Sequence, residues 1–152
     1  MRKINKIIIH CSATPEGRNV KAETIKKWHL DRGFSDIGYH YIIHLDGSIS
    51  YGRSIYTSGA HTKGHNSSSL GVCYIGGCDS KMDAKDTRTC EQIDSLNDLL
   101  KTLKRLHPGA IIHGHRDFST KDCPSFDAFN EYKDLIWWKI KRNLKIPKLE
   151  NF

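Results

Sequence analysis

The stretch KIIIHCSATP, Lys6 to Pro15, decides the fold. Its three consecutive isoleucines leave no polar face, so Lys6–His10 reads as a strand buried on both sides. Strands of that kind belong to sheets that helices cover from above and below. The strand ends in a histidine, and SATPEGRN after it is loop chemistry. Sheets of this class place their sites at strand ends, where loops vary freely.

The rest of the chain alternates in the same way. VKAETIKKWHLDRG (Val20–Gly33) predicts a helix with Ile25, Trp28 and His29 on one face and Gly33 as its stop. GYHYIIHLDGSISYGR (Gly38–Arg53) predicts a hairpin, with strands at 39–45 and 48–51 turned at Asp46-Gly47. Residues 57–69 are rich in Gly, His and Ser and read as loop, and LGVCYIGG (Leu70–Gly77) is an apolar strand closed by glycines. After a polar loop, Thr89 and Gln92 form a capping box. The helix they open carries Ile93, Leu96, Leu99, Leu100, Leu103 and Leu106 at helical spacing and ends at His107-Pro108-Gly109. AIIHGH (Ala110–His115) is a second short strand ending in histidines. PSFDAFNEYKDLIWWKIKRN (Pro124–Asn143) predicts a last helix with Phe126, Phe129, Tyr132 and Ile136 inward.

Strands alternating with helices, and one hairpin, predict an α/β fold: a central mixed β-sheet flanked by helices. The 152 residues suit one domain, with a core at about 6–140 and a basic tail at 141–152. That length buries a core without disulfides. The five cysteines are odd in number and follow no framework spacing, so a reducing site of synthesis is the simpler reading. The N-terminal apolar run, Ile7–Ile9, is too short for a signal peptide, and no stretch is long enough to span a membrane. The expectation is synthesis in the cytoplasm. The net charge of +7 favours polyanions: nucleic acid, anionic lipid or an anionic cell-wall polymer. The basic residues are scattered over helix faces rather than set in a groove with stacking aromatics, which argues against nucleic acid.

Two strands end in histidine, at His10 and at His113/His115, and Cys123 follows eight positions after His115. Two imidazoles and a thiolate are good zinc ligands, and a catalytic zinc keeps three protein ligands and one open position. The same residues also read as a core histidine at a strand end and a small buried hydrophobe. Spacing alone does not choose. Cys11 adjoins His10 but points the other way if the strand continues, which makes it structural.

Four stretches carry a resemblance. IIIHCSAT (Ile7–Thr14), GYHYIIHLDGSISYGR (Gly38–Arg53), GAHTKGHNSSSLGVCYIGG (Gly59–Gly77) and GHRDFSTKDCPSF (Gly114–Phe126) occur in this order. Together they resemble the zinc-dependent N-acetylmuramoyl-L-alanine amidases of the phage T7 lysozyme type, a superfamily shared with the peptidoglycan recognition proteins. The resemblance spans Ile7 to about Trp138. It implies the T7 lysozyme-like amidase fold, with His10, His115 and Cys123 as zinc ligands and Tyr39 and Lys121 as active-site residues. His61 and Asn66 fall in the loop beside the substrate cleft.

The chemistry so implied is hydrolysis of the amide joining the lactyl group of N-acetylmuramic acid to L-alanine of the stem peptide. Zinc activates water for such a reaction. Lys121 can stabilise the oxyanion, and Tyr39 can hydrogen-bond the water or the oxyanion. There is no H-E-x-x-H, so no glutamate stands where a thermolysin-like base would be. Members of the superfamily that only bind peptidoglycan commonly lack the cysteine ligand, and this chain keeps it. The expected partner is peptidoglycan or its muropeptides, met by a monomer of the endolysin type that reaches the wall after release. A non-catalytic binding module and an amidase acting on anhydro-muropeptides in wall recycling are the alternatives.

Overall fold

The computed structural model describes residues 2–136. The strands are β1 (Lys6–Cys11), β2 (Thr14–Pro15), β3 (Tyr41–Ile43), β4 (Ile49–Tyr51), β5 (Ser69–Tyr74), β6 (Gly77–Cys78) and β7 (Ile111–Gly114). The helices are α1 (Ala22–Asp31), α2 (Cys90–Leu106) and α3 (Ala128–Tyr132). Five strands form one sheet in the order β4-β3-β5-β1-β7. β1 lies parallel between β5 and β7, β3 is parallel to β5, and β4 is antiparallel to β3. This is the mixed sheet the alternation implies. β2 and β6, inside stretches without a strand pattern, make a small parallel pair just past β1 and β5.

The isoleucine run is buried on both sides, as a central parallel strand must be. Ile7, Ile9 and Cys11 join Leu70, Val72 and Tyr74 of β5 and Tyr41 and Ile43 of β3 in one core, which α2 covers with Leu96, Leu99, Leu100 and Leu103. The other face carries Ile42 and Ile75, packed with Val20, Ile37 and Ile25 of α1. Period-two alternation therefore sends His10 to the α1 side, away from the larger core.

The capping box at Thr89 forms: the hydroxyl accepts from Gln92 N–H at 3.0 Å, and Gln92 Oε1 accepts from Thr89 N–H at 3.0 Å. Gln92 also ties α2 to the sheet, since its Nε2 donates to the carbonyls of Ile43 and Ile75. Leu106, expected inward, closes the last turn of α2 and stands 46% exposed. The last helix is shorter than its pattern. Phe126 is held in the preceding loop, and Asp127 caps α3 by accepting from Asn130 N–H. Tyr132 is buried as expected, whereas Phe129 stays 40% exposed because its ring lies against His113 on the surface. Trp137, Trp138 and the basic tail lie outside the described residues.

Candidate metal centre

Parallel pairing sets the site. In register, Ile9 of β1 faces Gly114 of β7, so His10 and His115 emerge side by side at the ends of neighbouring strands. Their ring centroids are 4.6 Å apart. Eight residues on, the loop returns Cys123 beneath them, with its Sγ 3.7 Å from His10 Nδ1. One ligand atom from each of the three lies within 4.8 Å of the others. Two nitrogens and a sulfur, closed by protein on one side and open to a cleft on the other, fit a catalytic zinc. Cys11 N–H points at Cys123 Sγ at 3.3 Å and would stabilise a thiolate there.

His10 is 1% exposed, and burial before all else holds its imidazole neutral, the form that ligates metal. Its Nε2 lies 2.9 Å from His61 Nδ1, and His61 Nε2 lies 3.3 Å from Ser69 Oγ. A metal-binding histidine needs such a partner for its second nitrogen, to fix ring and tautomer together. The room for His61 comes from Gly71 of β5, where a Cβ would lie 2.6 Å from the His61 ring. Asn66 acts from behind: its Oδ1 accepts from the backbone N–H groups of His61 and Thr62, at 2.8 and 2.9 Å.

The loop carrying Cys123 is anchored on both sides. The buried Tyr74 hydroxyl donates to Pro124 O at 2.6 Å, and Ser125 Oγ donates to Gly77 O at 2.7 Å. Arg116 N–H donates to Cys123 O at 2.7 Å. Beyond it, the Arg88 guanidinium sits 3.4 Å from the centre of the Phe126 ring and bridges Asp86 and Glu131. Tyr74 and Arg88 were invisible in the sequence as parts of the site. One looked like an ordinary strand residue and the other like a loop charge.

A cleft of about 280 Å³ opens over the three candidate ligands. Tyr39, Lys121 and His61 line it with His10, His115 and Cys123; Asn66 does not. The Tyr39 ring centroid is 5.1 Å from that of His10. Burial, and then the neighbouring thiols of Cys73, Cys123 and Cys11, push the Tyr39 phenol well above its ordinary range. It therefore stays protonated, with a hydroxyl proton available to donate. Lys121 is exposed at the rim.

Other histidines are placed elsewhere. His113 sits in register with Ile8, bonds Asp117 at 3.3 Å and stacks on Phe129. The strand ends at Gly114, which breaks the alternation that would have kept His113 beside His115. His40 accepts from Gly71 N–H, and His44 bonds Ser50. Arg53 is held by the carbonyls of Ile37, Ser58 and Asp36. All five cysteines are free thiols.

Residues 1–126 match the family described as N-acetylmuramoyl-L-alanine amidase. The chain belongs to this family. The amidase is 41% identical over 133 residues to the endolysin of Escherichia phage T7, covering 88% of this chain and 84% of that one. It is 40% identical over 126 residues to the endolysin of Enterobacteria phage K11, covering 83% of both. Among solved structures it resembles the endolysin amidase LysCS of Clostridium intestinale, with TM-score 0.73 and 28% identity over 87% of this chain and 82% of that one. It also resembles Drosophila PGRP-LB, with TM-score 0.72 and 26% identity over 88% and 82%. The fold is thus the one shared by these amidases and peptidoglycan recognition proteins, and the chain is an enzyme of the peptidoglycan-amidase type. No helix among the described residues is long and apolar enough to cross a membrane.

Proposed function

We propose that this amidase is zinc-dependent, that His10, His115 and Cys123 hold the ion, and that it cuts between N-acetylmuramic acid and L-alanine. The observation that carries the reading is the meeting of two imidazoles and one thiol under an open cleft, with His10 and Cys123 separated by 113 residues in sequence. When bound, zinc supplies a water of lowered pKa and a Lewis acid for the carbonyl oxygen.

The chain's own residues do the rest. The Tyr39 hydroxyl donates to the attacking water or to the oxyanion as the carbonyl becomes tetrahedral. The Lys121 ammonium, from the rim, stabilises the same developing charge. Removing one such donor typically costs ~10²–10³-fold in turnover. His61 keeps His10 turned to the metal and forms part of the cleft wall where substrate would lie, while Asn66 fixes the loop that carries His61. The monomer is a sufficient unit, since one chain supplies every one of these groups. On this reading it is a phage-type lytic enzyme, like the endolysins it resembles, that acts on the cell wall after release. The +7 charge draws it to the polyanionic wall.

The test is digestion of purified peptidoglycan with the product ends identified by mass spectrometry. New free amines on L-alanine, paired with intact N-acetylmuramic acid carboxyls, are expected. Cleavage only of anhydro-muropeptides would move the enzyme to wall recycling. Binding without cleavage by zinc-loaded protein would make it a recognition module.

A further inference from the structure

Arg2 lies ahead of β1, outside all four stretches that carry the resemblance, and carbonyls from a distant segment hold its guanidinium. Nε and Nη2 donate to Ile55 O at 3.2 and 2.9 Å. Nη1 shares its protons among the carbonyls of Asn66, Ser67 and Ser69 at 3.1, 3.1 and 3.3 Å. The His40 ring packs beside them, its Nε2 3.2 Å from Nη2. Ile55 lies near the start of the segment that joins β4 to β5, and Asn66, Ser67 and Ser69 lie where it ends. One planar fork thus staples the two ends of this loop together, with charge-assisted bonds on each side.

The loop needs such a clamp. It contains Gly59 and Gly64, whose backbone loses more freedom on ordering than that of other residues. Its regular element is a single 3₁₀ turn, Asn66–Ser68, with no side-chain cap. Carbonyls at the end of such a turn have no partner within it. Arg2 takes those of Asn66 and Ser67, and Asn5 N–H takes that of Ser68 at 2.9 Å. The residues held in this way are the ones that hold His61. Asn66 Oδ1 accepts from the His61 and Thr62 N–H groups, and Ser69 Oγ lies 3.3 Å from His61 Nε2. His61 Nδ1 and Thr62 Oγ1 in turn lie 2.9 and 3.3 Å from His10 Nε2. Arg2 does not line the cleft, so its influence on the metal centre passes through this loop.

We propose that Arg2 is a positioning residue of the metal centre: by clamping residues 55–69 it sets His61, and through His61 it sets the ring of His10. This rests on the zinc reading of the site. A metal-binding imidazole is oriented by the partner of its second nitrogen, and that partner is only as well placed as the backbone that carries it. Here that backbone is fixed from outside the cleft, by one side chain that reaches it from the far side of β1 in sequence.

The experiment is a double-mutant cycle on zinc affinity. Competition with a chromogenic chelator is measured for wild type, Arg2→Ala, His61→Ala and the double variant, with urea unfolding of each metal-free protein alongside. Arg2→Ala should weaken zinc binding about tenfold, the lower end of the loss expected for outer partners of a metal ligand. The double variant should bind zinc no more weakly than His61→Ala alone, because Arg2 acts through that ring. Arg2→Lys keeps a cation but loses the fork, and should fall between wild type and Arg2→Ala. Where Arg2→Ala does not fold, the same cycle run with Arg2→Lys carries the test. Wild-type zinc affinity in Arg2→Ala would overturn the proposal. So would losses that add in the double variant, since a clamp that only stabilises the fold acts independently of His61. In either case zinc binding by wild type that Cys123→Ser abolishes would leave the metal reading intact and remove Arg2 alone. Wild type that binds no zinc would overturn the metal reading, and the role of Arg2 with it.

Discussion

His10 turns its two nitrogens to different tasks: Nδ1 stands 3.7 Å from Cys123 Sγ, and Nε2 stands 2.9 Å from His61 Nδ1. The ring is thereby oriented by protein contacts alone, in the pose the proposed zinc would need. His61→Ala should weaken zinc affinity about 10–100-fold, the usual loss when a ligand's outer hydrogen bond is removed. Competition with a chromogenic chelator measures this without reference to activity. Wild-type affinity in the variant would show that packing alone orients His10.

Gly71→Ala tests the same relationship from beneath. The added methyl would sit 2.6 Å from the His61 ring in a strand with no room to yield. Both folding stability and zinc affinity should fall, the former by the ~1–3 kcal/mol typical of overpacking, read by urea unfolding. Loss of stability with zinc affinity intact would uncouple His61 from the metal centre.

Lys121→Ala and Tyr39→Phe separate metal holding from chemistry. Each should retain one zinc per chain and lose about 10²–10³-fold in kcat. A Tyr39→Phe enzyme with wild-type turnover would reduce the tyrosine to a wall of the cleft. The same result for Lys121→Ala would leave it a surface charge.

Acid should destabilise the fold through two buried histidines outside the candidate ligand set. Burial, then Arg32 and Arg53, lowers His29 to about 4. Burial also lowers His40 to about 4, against the opposing bond to Thr57 O. Unfolded histidines titrate near ~6.5, so between these values the unfolded chain binds more protons than the folded one. Stability is therefore complete above pH ~6.5 and falls as pH drops towards 4, by up to about 3 kcal/mol per histidine. Urea unfolding in the presence of chelator, which removes metal loss from the comparison, should show the decline. A His40→Gln variant that folds should show a shallower one. A flat profile from pH 7 to 4.5 would contradict the neutral, hydrogen-bonded state of both rings.

Much of this was legible in the sequence. An isoleucine run with no polar face can only be a central strand, and leucines at helical spacing behind a capping box can only be a covering helix. Both are local patterns. The candidate ligands His10, His115 and Cys123 were suggested by strand ends and spacing, but it took the resemblance of four ordered stretches to choose them, and the structure brings the three together. The parts that stayed hidden depend on contacts between distant segments. Spacing could not show that His61 turns inward to His10, since that requires the register of β5 against β1 and the missing side chain at Gly71. Nor could it show Tyr74 reaching Pro124, or Arg88 covering Phe126. Leu106 and Phe129 fit an apolar stripe but stand at element ends where the partner surface has run out.

The most direct test of the account is a zinc titration of metal-free protein, counting new L-alanine amines released from purified peptidoglycan. Activity should be absent without metal, rise in proportion to added zinc, and saturate at one ion per chain, with Cys123→Ser failing to recover. Full release by the metal-free protein, or recovery of the Cys123→Ser variant at the same stoichiometry, would contradict it.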